Sequence, residues 1–457
     1  MLAPLAKRPD VRWFCCVSEP PDAALATEGL YTTAADQAGG PLTVMPIPVP
    51  ASIYHAYYGE ISNEVLWMLQ HRVIGPGGYE RIDAGRHRAW TEGYLEANAR
   101  MAAAIEASCP AARAFLLQDY HLYPLPALLR ASFPGAPIIH FTHIPFPDPP
   151  LMKLLPGAWR ETILRGLLGS DVVGVQTALD AQAFMSCCAE LLGSAVDYGA
   201  RAVRADDDRW VAVRAYPASV DPEALERTMR SGAVGAARER LRRGMGELNI
   251  IRVDRLDPSK NQRLGFLAFA RLLELRPDLR ARVRFSSFLI PSRTDLSVYR
   301  AYRDALYETI EQINQRFTAD CGGPPITVFY TNDRDQALAA MESCDVLLAN
   351  SLQDGMNLVA KEWAVVSTRP GVLIVSETAG VAAEATGSAL LISPLDTEGT
   401  ARAMGEALDM PQGERAERLA RFRDRVLQWT AGAWLAAQLD DLGLLSSTHE
   451  ATSDLVV

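Results

Sequence analysis

The sequence lacks most features that would place it outside the soluble globular class. No run of lysine and arginine is long enough to follow a phosphate backbone, and the formal net charge is −10, so a nucleic-acid role is disfavoured. The most basic stretch, ARERLRRG at 237–244, reads as the solvated face of a helix. No apolar run approaches the roughly 18–20 residues of a membrane span. MLAPLAKRPDVRWF holds no apolar segment of the kind a signal peptide needs. Cysteine is scarce and unpatterned: seven residues, with two adjacent pairs (Cys15-Cys16, Cys187-Cys188) and no C-x-x-C. An odd count without a framework points to reduced thiols and a cytoplasmic location. Internal repeats and low-complexity tracts are also missing.

What is present is a chain of 457 residues, 49% hydrophobic and 22% charged, globular in composition and too long for one core. Short β-rich runs alternate with helical stretches. ARAFLLQ (112–118), PIIHFTHI (137–144) and DVVGVQT (171–177) fit buried strands, as do NIIRVDR (249–255), RVRFSSFLI (282–290), ITVFY (326–330), DVLLANS (345–351), GVLIVSE (371–377) and ALLISP (389–394). Phe266, Phe269, Ala270 and Leu273 recur at helical spacing, and Pro277 stops that helix. Strand alternating with helix predicts an α/β chain of two Rossmann-like, doubly wound domains with a cleft between them. The first domain is expected over 1–230 and the second over 231–425. The stretch VDPEALERTMRSGAVGAARERLRRGMG (220–246) reads as a linker. A C-terminal helix is expected over 426–445 and a flexible tail over 446–457. In such sheets, loops after the strand C-termini hold ligands.

Those loops are chemically loaded. In VDRLDPSKN (253–261), Arg255 and Lys260 flank a turn before a helix. Forked donors, a point charge and free backbone N–H groups suit a diphosphate, although two solvated cations on a surface turn give the same pattern. In DGMNLVAKEW (354–363), Asp354 and Gly355 make a turn, and Met356, Val359, Ala360 and Trp363 form an apolar helix face. Asp354 and Asn357 fit as caps. Glu362, further along, could equally accept both hydroxyls of a ribose. QDYHLYPLP (118–126) and THIPFP (142–147) place Asp119, His121 and His143 at neighbouring strand ends, where a histidine is as often a hydrogen-bonding support as a functional group. PSRTD (291–295) adds Arg293. YYGEISNEVLW (57–67) sets Tyr58 and Trp67 nine apart, a spacing that core packing alone explains. RADDDRW (204–210) carries Asp-x-Asp, a pattern that can hold a divalent cation, but its flanks predict a hairpin turn.

QDYHLYPLP, HIPFP, VDRLDPSKN, PSRTD and DGMNLVAKE, in this order, resemble glycosyltransferase family 20, the trehalose-6-phosphate synthases. The resemblance covers roughly 54–440. It implies a GT-B fold whose C-terminal helix crosses back to the first domain, and a retaining, metal-independent transfer from a nucleoside-diphosphate sugar to a sugar phosphate. By matching motifs, Arg255 and Lys260 would hold the donor diphosphate and Glu362 the ribose. Asp354, Gly355, Met356, Asn357, Leu358 and Val359 would hold the donor sugar and phosphate. Asp119 would orient the acceptor and His143 would touch the donor sugar. Tyr58, Trp67 and Arg293 would hold the acceptor phosphate. The resemblance implies a UDP- or GDP-sugar as donor, no cofactor or metal, no nucleic-acid or membrane partner, and leaves homo-oligomerisation open. RWFCCVSEP corresponds to a later strand of the family, so the usual first strand and Gly-Gly loop are expected to be absent, and Gly39-Gly40 lies too late to replace them. Pro258 and Asn261 stand where the family has Tyr and Gly. LDPSKN, SETAG and WTAGAWLAAQLDDL are similar to the validamycin-type pseudoglycosyltransferase, which joins a nucleotide-activated cyclitol to an aminocyclitol phosphate. That activity, a glucosylglycerol-phosphate-type synthase and a non-catalytic sugar-phosphate-binding relative are the alternatives. Nucleotide binding separates the last from the others.

Overall fold

Strands form where they were expected, but Ile326–Tyr330 and Leu390–Ile392, read as buried, lie at the two edges of their sheet and bury one residue each, Ile326 and Ile392. The structure, a computed structural model, describes residues 2, 5, 10–18, 31–33, 42–75, 81–242, 244–444 and 455–457. Gly39 and Gly40, and most of the tail expected at 446–457, lie outside the described residues. The chain divides into two units. One holds the described residues of 1–70, 79–218 and 431–457, and the other those of 71–78 and 219–430.

The first unit contains β1 (Val11–Ser18), β2 (Tyr31–Thr33), β3 (Leu42–Val49), β4 (Ala114–Gln118), β5 (Ile138–Phe141), β6 (Val172–Val175), β7 (Val196–Asp197), β8 (Ala202–Arg204) and β9 (Trp210–Ala215). The second contains β10 (Leu248–Arg255), β11 (Val283–Ile290), β12 (Ile326–Tyr330), β13 (Val346–Ala349), β14 (Val372–Ser376) and β15 (Leu390–Ile392). A last strand, β16 (Leu455–Val456), returns to the first unit, so the end of the expected tail is part of a sheet.

The first sheet runs β2-β3-β1-β16-β4-β5-β6-β9-β8-β7. It is parallel from β3 to β9, with β2 and β8 antiparallel to their neighbours. The pair β8–β9, with Arg204 opposite Trp210, is the hairpin read from RADDDRW. Phe115, Leu117, Leu125, Leu129 and Ile138 are buried in its core together with Val456. Gly174 lets β6 pass under two aromatic rings: a Cβ there would lie 2.9 Å from Phe141 and 3.0 Å from Tyr216.

The second sheet is wholly parallel in the order β12-β11-β10-β13-β14-β15. Strand order reverses between β10 and β13, the switch point at which doubly wound sheets bind ligands. The helix Gln262–Leu275 covers one face with Phe266, Phe269 and Leu273, all fully buried. Phe266 and Phe269 pack against Phe285 at 5.1 and 5.2 Å between ring centres, and each buried ring contributes about 1.5–3 kcal/mol. The stretch read as a linker holds two helices, Pro222–Met229 and Gly232–Arg242, which belong to the second unit. Val234, Ala237 and Leu241 are buried there while Arg240 and Arg242 face solvent. The helix read at 426–445 is divided: Gln412–Gln428 ends in the second unit, and Ala431–Asp441 belongs to the first. Among the described residues no disulfide joins the cysteines, and no helix is long and apolar enough to cross a membrane.

Candidate functional site

In the second unit the loops after β10 and β13 flank the switch point, and three contacts lock them together. Leu352 N–H donates to the Ser259 carbonyl at 2.9 Å. Lys260 Nζ donates to Asp354 Oδ2 at 2.6 Å. Asn261 Nδ2 donates to the Asn350 carbonyl at 3.0 Å, and Asn350 Nδ2 returns a bond to Asn261 O at 3.1 Å. Asn261 stands in the left-handed region at φ +55°, a conformation glycine adopts freely and asparagine better than most. Its carboxamide also reaches the Pro394 carbonyl at 2.7 Å, so the side chain contributes bonds that glycine lacks.

The turn Pro258–Lys260 is capped by Asp257, whose Oδ1 accepts from Ser259 N–H at 2.9 Å and Ser259 Oγ–H at 2.8 Å. Below it, buried Arg252 donates from Nε to Asp254 at 2.8 Å and from Nη2 to the Lys260 carbonyl at 2.9 Å. Arg255 ends β10, partly exposed and paired in register with Ile290. Arg293 sits after β11 at φ +46°. It is not a solvated cation: its side chain is 8% exposed and gives Nη1 to Asp257 Oδ2 at 3.0 Å.

The cap of the helix Leu358–Val366 is Asn357 alone. Its Oδ1 accepts from Ala360 N–H at 3.0 Å, with φ +90°. Asp354 is committed elsewhere: besides Lys260 it accepts from Ser351 Oγ–H and Asn357 Nδ2, both at 3.2 Å. Burial pushes the Asp354 carboxyl up, but the Lys260 charge and these bonds outweigh it and hold it below the usual carboxylate range. Met356, Ala360 and Trp363 are buried, as the apolar face requires, while Leu358 and Val359 are partly exposed. Gly355 is pinned by Gly380, where an added Cβ would lie 2.0 Å from the Gly355 oxygen. Glu362 accepts from Arg334 Nη2 at 3.0 Å. Lys361 is fully buried against Glu384 at 2.8 Å, and burial lowers its pKa.

In the first unit, β4 and β5 bring Asp119 and His143 together. Asp119 N–H donates to the Phe141 carbonyl at 2.7 Å, and Asp119 Oδ1 accepts from His143 N–H at 3.1 Å. Asp119 holds φ +77°, a costly conformation for a residue with a Cβ. His143 Nε2–H donates to Gln118 Oε1 at 2.9 Å, and burial lowers the ring to about 4, so it is neutral at pH 7. His121 is part of an aromatic stack, 5.5 Å from the Tyr58 ring. Tyr58 is 39% exposed, whereas Trp67 is 6% exposed and packs 5.8 Å from the Tyr120 ring. Both lie on or beside His55–Leu66, wound as a π-helix that ends with Trp67 N–H on the Ser62 carbonyl five residues back, while the Ser62 Oγ and Asn63 Nδ2 side chains donate to the Tyr57 and Tyr58 carbonyls at 2.7 Å.

Several supporting residues escaped the sequence reading. Asp257 had a signal, since Asp before Pro at a turn is a cap pattern. Arg252, Arg334 and Gln118 had none. Neither did Trp434, which donates from Nε1 to the Tyr216 carbonyl at 3.1 Å and packs edge-on to Phe141 at 5.0 Å.

The arrangement has known counterparts. The model of glycosyltransferase family 20 matches residues 1–443. The trehalose-6-phosphate synthase of Mycobacterium avium is 33% identical over 88% of this chain and 81% of its own length. A solved E. coli structure bound with UDP-2-fluoro glucose superposes with a TM-score of 0.82 at 28% identity, covering 94% of this chain and 92% of that one. A Burkholderia xenovorans α,α-trehalose-phosphate synthase in complex with glucose-6-phosphate gives 0.82 at 29% identity, covering 96% and 94%. The two parallel-sheet units are thus those of the GT-B fold, and with a match running almost from end to end the chain belongs to glycosyltransferase family 20.

Proposed function

We propose that the protein transfers glucose from UDP-glucose to glucose 6-phosphate with retention, forming trehalose 6-phosphate. The observation that carries this reading is the clasp of the two motif loops at the sheet's switch point, Lys260 on Asp354, with Arg255 at the end of β10. Arg255 and Lys260 supply the positive charge that a departing diphosphate needs, and fixed charges of this kind stabilise the transition state without reorganising. The N-terminal N–H groups of the helix Leu358–Val366 favour an anion or a polarised hydroxyl. Glu362, oriented by Arg334, accepts the ribose hydroxyls. Asp119 orients the acceptor hydroxyl, and neutral His143 contacts the donor sugar. Tyr58, Trp67 and Arg293 serve the acceptor phosphate, Trp67 mainly by backing the aromatic wall, given its burial.

The acceptor oxygen attacks the anomeric carbon from the face that the diphosphate leaves. The carbon–oxygen bond to the diphosphate breaks, the new glycosidic bond forms, and the departing phosphate oxygen takes the acceptor's proton. Cysteines without disulfides suit a reducing compartment, and we place the reaction in the cytoplasm. The pseudoglycosyltransferase reading is not favoured, because the similar curated relatives are trehalose-6-phosphate synthases.

The test is nucleotide release by the purified protein with UDP-glucose or GDP-glucose, each with and without glucose 6-phosphate. Acceptor-dependent UDP release with a disaccharide phosphate in the mass spectrum is expected. Absence of both UDP and GDP binding would overturn the reading and leave the non-catalytic alternative.

A further inference from the structure

We propose that Asp257 is a positioning residue that yokes the diphosphate loop to Arg293, so that the binding of donor nucleotide and of acceptor phosphate are energetically linked. The inference rests on the function proposed above and adds a residue to it. Asp257 is fully buried and divides its two oxygens between two loops. Oδ1 holds the turn that carries Lys260, through Ser259 N–H and Oγ–H. Oδ2 accepts from Arg293 Nη1 at 3.0 Å and from Tyr299 Oη–H at 2.9 Å. Tyr299 closes the corner from the other side: its oxygen accepts from Arg293 Nη1, and its ring lies under the guanidinium at 5.4 Å. The two loops leave adjacent parallel strands, with Arg255 opposite Ile290 and Leu256 N–H on the Ile290 carbonyl at 2.8 Å. Neither loop can shift without dragging the shared carboxylate.

The charge balance explains why the carboxylate is placed there. Burial would raise its pKa, but the Arg293 and Arg255 guanidiniums, His71 and the Ser259 N–H prevail and hold it at about 2. A second anion arriving at Arg293 meets a guanidinium whose direction is already set by Asp257. The same carboxylate then sets the turn on which Lys260 stands. A ligand that displaces either loop displaces the shared carboxylate and the other loop with it, so both ligands select one common arrangement, which is positive linkage.

The experiment is calorimetric titration of UDP, with and without saturating glucose 6-phosphate, in wild type, Asp257→Asn and Tyr299→Phe. The amide keeps the shape and the acceptor for Ser259 but presents the wrong polarity or no charge to Arg293. Wild type is expected to bind UDP about fivefold more tightly with the sugar phosphate present. Asp257→Asn should lose that linkage and raise the glucose 6-phosphate KM roughly tenfold, with a smaller change in kcat. Tyr299→Phe, which leaves Asp257 and Arg293 in place, should weaken the linkage without abolishing it, and serves if the first variant does not fold. A merely structural residue would lower the melting temperature and leave the linkage ratio unchanged, and that result overturns the inference. So does a wild type that binds both ligands independently. A wild type that binds no nucleotide overturns the proposed function itself and the inference with it.

Discussion

Arg255 and Asp257 stand two residues apart and do opposite things. Arg255 is the partly exposed cation at the end of β10. Replacing it with alanine should remove about 2–4 kcal/mol of transition-state stabilisation, read as a fall in kcat for nucleotide release with the fold intact. Unchanged turnover would sink the diphosphate assignment. Asp257 is the buried anion, and its titration should be visible in acid stability. Its pKa is about 2 in the folded chain against an ordinary 3.8, so on acidification the unfolded chain takes up the proton first. The ionised carboxylate contributes stability above about pH 4, and that contribution of about 2 kcal/mol is lost as pH falls toward 2. The stability gap between wild type and Asp257→Asn, measured by urea unfolding, should therefore narrow between pH 5 and pH 3. A gap independent of pH would mean that the carboxylate's charge does not matter there. The sequence displayed Arg255 and Lys260 as chemistry because cations after a strand are conspicuous. It displayed Arg293 too, but not that its guanidinium is nearly covered and held by an anion 36 positions earlier.

At the scale of elements, the turn Asp354–Asn357 is held from outside as much as by its own residues. Gly380 N–H donates to the Asp354 carbonyl at 3.0 Å, and Val381 N–H to the Met356 carbonyl at 2.8 Å. A methyl group on residue 380 would overlap the Gly355 carbonyl, which is backbone and cannot swing aside. Gly380→Ala is expected to displace the turn and weaken UDP binding by about two orders of magnitude, as a misplacement near one ångström does to a preorganised site. Wild-type affinity in that variant would show that the turn does not hold the donor. The helix that follows was legible, because Met356, Ala360 and Trp363 mark its face. The winding of His55–Leu66 was not: its apolar residues also fit an ordinary helix, and its close approach to Ala89–Leu95, where a Cβ on Gly93 would come within 2.4 Å of the Ala56 Cβ, joins residues far apart in sequence.

At the scale of the whole chain, each unit has its own sheet and its own apolar core, the condition for separate cooperative unfolding. Two changes should then act on different transitions in calorimetry. UDP should raise the transition of the second unit, which carries Arg255, Lys260 and Asp354, by mass action. Truncation after residue 444 should lower that of the first, because Leu455 and Val456 are buried between β1 and β4, a loss of about 3 kcal/mol for two aliphatic side chains. A ligand that raised the first transition alone would contradict the donor assignment.

Local pattern was enough to determine the alternation of strand and helix, the α/β class and the loops that carry charge. A buried parallel strand needs a short β-branched run, a helix needs its periodic face, and both are properties of neighbours in the sequence. Only the tertiary structure decided that Asp354 pairs with Lys260 instead of capping its helix, and that Asp257 is shared between the Lys260 turn and Arg293. It alone decided that the strand between β1 and β4 is β16, from the far end of the chain. These partners lie tens to hundreds of positions apart, and closing such distances is the work of the whole sheet, which no local pattern records.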